Sequence, residues 1–254
     1  MSPAHSMERP AGRGKVLLEA RGLSAWYGAA QILFDVDLHV QRGEVVALMG
    51  RNGAGKSTTI KTLMGMVAKR RGSVSFMGRD ISKSKPYEVG ARGLGFVPED
   101  RRIFTDLTVM ENLEVGRQAA RHWADGSATP SWTPERLFKL FPNLGAMPSR
   151  VGARMSGGEQ QMLTVARTLM GNPYVLLLDE PSEGVAPIIV EQMVHMILEL
   201  KSQGVSILLS EQNMHFAELV SDRAYVLEKG QIRFQGSMDE LSVNEEVRRA
   251  YLGV

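Results

Sequence analysis

Val45-Val-Ala-Leu-Met49-Gly50-Arg51-Asn52-Gly53-Ala54-Gly55-Lys56-Ser57-Thr58 is the stretch that decides how this chain folds. Five apolar residues in a row read as a strand buried on both faces of a parallel sheet. The residues after them fit G-x-x-x-x-G-K-[ST]. Glycines let the backbone wrap tightly and turn its N–H groups toward an anion. The helix that follows aims its positive end at the same point. Strand, glycine-rich loop and helix in that order make a phosphate-binding loop. Gly50, Asn52, Gly53, Ala54, Gly55 and Thr58 then line the nucleotide, Lys56 reaches the β- and γ-phosphates, and the Ser57 hydroxyl binds Mg²⁺.

A second apolar strand closes the chemistry. Val175-Leu-Leu-Leu-Asp179-Glu180 ends in two acids. Behind a phosphate loop, Asp179 is placed to hold Mg²⁺, and Glu180, one residue on, to polarise the attacking water as general base.

Outward from these anchors, Phe34, Val36, Leu38 and Val40 alternate with Asp35, Asp37 and His39. That period of two predicts a half-buried antiparallel strand with Phe34 on the inner face. Ser73–Phe76, Gly93–Val97 and Val205–Leu209 read as further strands, and Arg223–Leu227 with Ile232–Gln235 as a hairpin. The middle of the chain changes character. Thr108-Val-Met-Glu111 and Ser156-Gly-Gly-Glu159 are capping boxes, and Thr133-Pro134 is a helix start closed by Pro142. Residues from about 100 to 170 therefore read as a helical insert, and a helix from Pro187 to about Gln203 follows it. Lys69-Arg70-Arg71 reads as a solvated turn, Trp26 as core and His195 as structural.

Composition sets the outer limits. The 254 residues suffice for one large α/β domain and are too few for two nucleotide-binding domains. There is no cysteine, which excludes disulfides, zinc thiolates and cysteine nucleophiles and suits a reducing cytosol. A net charge of +2 gives no argument for nucleic acid. No run reaches the roughly 18 apolar residues of a membrane span. Residues 1–15 are polar, lack the apolar core of a signal peptide and read as a disordered tail in which Met7 is an alternative start.

Met155-Ser156-Gly157-Gly158-Glu159-Gln160-Gln161 resembles the L-S-G-G-Q signature of ABC (ATP-binding cassette) ATPases, and it lies between the two anchors as it does in that family. The resemblance runs from about residue 16 onward. It implies a P-loop NTPase (RecA-like) parallel-sheet core with an N-terminal antiparallel β subdomain and a helical subdomain at about 100–170. It implies ATP and Mg²⁺ as cofactors and a sandwich dimer with a second ATPase subunit, a paralogue or another copy. There Ser156, Gly157, Gly158 and Glu159 of one subunit close over the γ-phosphate held by the other. Tyr27, before Gly28, matches the aromatic residue that stacks on adenine.

Departures from the family pattern narrow it. Glu99 stands where most relatives have a glutamine that senses Mg²⁺ and the transporter, Gln212 replaces the usual histidine at the γ-phosphate, and Ala186 replaces an aspartate. With Pro98-Glu99-Asp-Arg101-Arg102, this set resembles the second ATPase subunit of branched-chain amino-acid importers, a group that includes urea and amide relatives. That implies a peripheral protein on the cytoplasmic face of the cell membrane, partnered by integral-membrane permease subunits and indirectly by a solute-binding protein. Arg101 and Arg102 are either solvated or part of a transporter-facing surface. A soluble ABC-type ATPase acting on nucleic acid or ribosomes is the alternative, but such proteins carry two cassettes or a long coiled-coil insert. A nucleotide-dependent regulator that does not turn over is a third class, opposed by the presence of Glu180.

Overall fold

The computed structural model describes residues 14–253. Most of the tail expected at 1–15 therefore lies outside the described residues. In chain order the strands are β1 Val16–Tyr27, β2 Ala30–Gln41, β3 Val45–Met49, β4 Lys69–Phe76, β5 Arg79–Asp80, β6 Leu94–Val97, β7 Val175–Asp179, β8 Ser206–Glu211, β9 Arg223–Glu228 and β10 Gln231–Ser237. The helices are α1 Lys56–Leu63, α2 Pro86–Ala91, α3 Val109–Gly116, α4 Pro134–Leu140, α5 Pro142–Gly145, α6 Gly157–Leu169, α7 Pro187–Ser202, α8 Met214–Val220 and α9 Met238–Val243, followed by short turns to the end.

The strands form two sheets. One is antiparallel, in the order β2-β1-β4-β5. The other runs β10-β9-β3-β8-β7-β6, parallel throughout except for the β9–β10 hairpin at its edge. β3 is central and buried at every residue. Its side chains alternate between two cores. Val45, Ala47 and Met49 enter a core shared with α3, α4, α6, α7 and α8, and Val46 and Leu48 enter one shared with α1 and the antiparallel sheet. β7 and β8 divide their side chains in the same way, which is why both read as unbroken apolar runs. Between β6 and β7, neighbours in the sheet, the chain makes its long excursion through α3, α4, α5 and α6. α3 and α6 start where their capping boxes predict: Thr108 accepts from the Glu111 N–H, and Ser156 from the Glu159 N–H.

Pro142 lies just past the end of α4, as expected, and also opens α5 as its first residue. Three expectations are corrected. Phe34 is 38% exposed while Leu33, Val36, Leu38 and Val40 are buried. A bulge at Asp35, whose φ is 51°, shifts the pleat by one residue, and the Ser24 hydroxyl and Asp35 carboxylate hold it at 3.0 Å. Lys69-Arg70-Arg71 is strand, opposite Trp26, Ala25 and Ser24. Trp26 is accordingly half-buried beneath Lys69 and Arg71, at 5.3 and 5.6 Å from its ring, and is not core.

Arg70 reaches back over the end of α1. Its guanidinium donates to the carbonyls of Ser82 (3.0 Å), Gly65 (3.3 Å), Val67 (2.6 Å) and Ser84 (3.2 Å). Arg70→Ala leaves those carbonyls without their donor, at a cost of roughly 2–3 kcal/mol. For a chain of this size that lowers the thermal midpoint by roughly 4–12 °C. A calorimetric shift below about 1 °C would mean that water replaces the guanidinium without loss.

Candidate functional site

The carboxyl ends of β3, β7 and β8, adjacent in the sheet, meet at one edge. In open α/β sheets this is where ligands collect. The loop after β3 is held close to β9: a Cβ on Gly50 would lie 2.4 Å from the Leu227 carbonyl oxygen, so only glycine fits there. The Gly230 N–H donates to the Ala54 carbonyl at 2.8 Å, and the Ala54 N–H to Arg51 O at 3.1 Å. Among the described residues, the N–H groups of Asn52, Gly53 and Gly55 donate to no protein acceptor, which leaves them available to an anion. Thr58 lies in the first turn of α1, half-exposed, with its carbonyl accepting from the Thr62 hydroxyl.

Lys56 is 3% exposed. Its ammonium donates to the carbonyls of Gly50 (2.8 Å) and Arg51 (3.1 Å) and lies 3.0 Å from Glu180 Oε1. The cation expected at the phosphates and the carboxylate expected to act as base thus face each other directly. Glu180 has φ 46°, a left-handed conformation costly for a residue with a side chain, of order 1–3 kcal/mol. Its N–H is pinned by the Ser210 hydroxyl (3.0 Å) and carbonyl (3.2 Å). Burial opposes ionisation of Glu180, but Glu183 and the Lys56 ammonium outweigh it and lower its pKa. The Glu183 carboxyl is pushed up to about 7 by its hydrogen bond to Glu180, by burial and by the like charges of Glu180 and Glu99. Glu180 is therefore the member of the pair held ionised, and Glu183 is the one that exchanges a proton near neutrality.

Asp179, the last residue of β7, is buried. Oδ1 accepts from the Ser210 hydroxyl at 2.7 Å, whereas Oδ2 has no hydrogen-bond partner. Burial raises its pKa, opposed by the hydroxyls of Ser210 and Ser57 and by the Lys61 charge. A buried carboxylate oxygen left free, with a serine hydroxyl close by, is an oxygen-only donor set that fits a hard divalent cation such as Mg²⁺.

Glu99 is exposed on the loop after β6, near enough for its charge to act on Glu183. Gln212 is exposed just beyond β8, its N–H donating to Glu211 Oε2 at 3.2 Å. Tyr27, at the end of β1, is 51% exposed. Ser156 caps α6 with Gly157, Gly158 and Glu159 in the first turn. Among the described residues no hydrogen bond or ion pair joins that segment to the loop at 50–58. Gly157 lies against Arg101, where an added Cβ would be 2.2 Å from Nη1, and Gly158 against Ile189. Arg101 also donates to Gly184 O at 3.5 Å, whereas Arg102 is exposed and paired with Asp100 at 2.8 Å.

Ser210, Glu211, Glu183 and the second contact of Arg101 escaped the sequence reading. A signal existed for the first two: Ser210-Glu211 ends an apolar strand in polar residues, as Asp179-Glu180 does.

A model of the ABC transporter family matches residues 33–183. The high-affinity branched-chain amino acid transport ATP-binding protein BraG of Pseudomonas aeruginosa is 41% identical over 91% of this chain and 97% of its own length. The lipopolysaccharide export system ATP-binding protein LptB of Haemophilus influenzae is 34% identical over 93% and 97%. A solved ATP-binding subunit of an ABC transporter superposes with a TM-score of 0.75 at 31% identity, covering 93% of this chain and 96% of that one.

Proposed function

This chain belongs to the ABC transporter family as an ATP-binding, ATP-hydrolysing subunit, and we propose that it energises an importer of branched-chain amino acids or related small polar solutes. The observation that carries the catalytic part is the 3.0 Å approach of Lys56 to Glu180 beside Asp179. A phosphoryl group held by Lys56 lies within reach of Glu180 and of a cation on Asp179, so phosphate anchor, base and metal ligand converge on one reacting phosphorus.

The roles follow from that convergence. Tyr27 stacks on the base, and Gly50, Asn52, Gly53, Ala54, Gly55, Lys56 and Thr58 hold the phosphates. Ser57 and Asp179, with Glu99 as a further ligand, would hold Mg²⁺, which when bound would supply charge neutralisation at the phosphates. Glu180 takes a proton from water as the oxygen attacks the γ-phosphorus and the bond to the β-phosphate oxygen breaks. Gln212 donates its amide to the γ-phosphate. Ser156, Gly157, Gly158 and Glu159, unconnected to this chain's own phosphate loop, serve a nucleotide bound by a second ATPase subunit, with the helix N-terminus as the anion site.

Among the described residues no helix is long and apolar enough to cross a membrane. In this reading the chain attaches through permease subunits. We place the chain at the cytoplasmic face. The solute rests on the likeness to BraG together with Glu99 and Gln212. The likeness to LptB supports a second reading, lipid export.

Purification of the tagged full chain from solubilised membranes tests both. Two permeases and a solute-binding protein are expected, with ATPase activity in liposomes rising several-fold when that protein carries a branched-chain amino acid. Recovery with a lipid exporter, or no response to any loaded binding protein, rejects the import reading.

A further inference from the structure

Glu211 closes β8 and is 1% exposed. Three backbone N–H groups donate to its carboxylate. Oε1 accepts from the Ser182 N–H at 3.0 Å, and Oε2 from the N–H groups of Gln212 and Asn213, each at 3.2 Å. A carboxylate is the side chain that only accepts at both oxygens, so nothing else of this size satisfies the three. Burial pushes its pKa up, against the pull of the Ser182 hydroxyl and of the N–H groups of Ser182 and Asn213.

The location gives these bonds a purpose. The β7–β8 ladder ends at the pair Asp179↔Ser210. Beyond it the chain splits into two loops, one carrying Glu180 and Ser182, the other Gln212 and Asn213, and no ladder joins them. The Glu211 carboxylate takes over where the ladder stops. It is not needed to cap α8, because the Asn213 side chain does that by accepting from the Phe216 N–H at 3.1 Å.

We propose that Glu211 is a positioning residue for ATP hydrolysis: its carboxylate clamps the loop of Gln212 to the loop of Glu180, so that both reach the γ-phosphate as one unit. The inference rests on the ATPase reading above and goes beyond it. Gln212 meets the phosphate through a backbone whose place Glu211 sets.

Glu211→Gln keeps the shape but supplies only one acceptor oxygen, and its NH₂ must face donors on the other side. In the full chain assembled with its ATPase and permease partners, kcat is expected to fall about 10- to 100-fold, the usual result of a misplaced reacting group. The KM and Kd for ATP stay within about threefold, because Lys56, Ser57 and Asp179 are untouched. Combined with Gln212→Ala, the loss is expected to be no greater than that of the slower single variant within about threefold, since both act through one loop.

Glu211→Asp keeps the charge one methylene short and should lose less than Gln. It supplies the same KM-against-kcat split if the Gln variant does not fold. Multiplicative losses with Gln212→Ala, an unchanged kcat, or a rise in KM matching the fall in kcat would each overturn the clamp. Absence of hydrolysis in the unaltered assembly would instead reject the ATPase reading beneath it.

Discussion

Glu180→Gln is expected to lower turnover at this chain's site by about 10²–10⁴, the usual worth of a general base, while ATP still binds. The amide keeps the volume of the carboxylate and loses the proton acceptor. Lys56, Ser57 and Asp179, which hold the phosphates and the cation in the proposed site, are unchanged. The variant also removes the partner that holds Glu183 near 7, so that carboxyl should return toward its ordinary range. Because a second ATPase subunit contributes its own site, the measurement is single-turnover hydrolysis with the partner's general base removed. Equilibrium nucleotide binding is measured in parallel, and an ATP-bound dimer is expected to accumulate on gel filtration. If the silenced-partner complex hydrolyses at the unaltered rate, Glu180 is not the base.

Lys56→Ala should fail at the step before. Losing a buried ammonium from a phosphate site typically costs about 2–5 kcal/mol, roughly 30- to several-thousand-fold in nucleotide affinity. The structure adds a second consequence. Lys56 is the cation 3.0 Å from Glu180, and without it the Glu180 pKa moves upward, because only the Glu183 hydrogen bond is left to oppose burial. The variant therefore loses affinity and, at saturating ATP, also has a less ionised base. Calorimetric titration with a non-hydrolysable ATP analogue reads the first effect, and the pH dependence of residual turnover the second. A dissociation constant within threefold of the unaltered chain would remove Lys56 from the phosphate site.

These residues were legible because each lies in a short stretch whose local conformation follows from the stretch itself. Gly50 to Ser57 need only a strand before and a helix after them to become an anion cradle. Asp179 and Glu180 need only the end of a buried strand, and Ser156 to Glu159 only the start of a helix. Spacing along the chain thus determined the phosphate loop, the two acids, the signature helix and the parallel core, and through them the family.

Tertiary structure decided the rest, because those features depend on residues far apart in sequence. The inward strand pattern at Phe34 was overruled by a bulge that Ser24 holds from another strand. Lys69-Arg70-Arg71 became strand because Trp26, Ala25 and Ser24 lay opposite, and Arg70 found carbonyls on two different loops. Lys56 and Glu180 are 124 positions apart and became an ion pair only when β3 and β7 were brought into one sheet on either side of β8. Glu211 carried no motif: its three donors come from its own loop and from Ser182, 29 positions away, and a carboxylate reads as functional only once the direction of every neighbouring N–H is known. Local dihedral preferences and periodicity are written residue by residue, whereas hydrogen-bond satisfaction in a buried edge is a property of the assembled sheet.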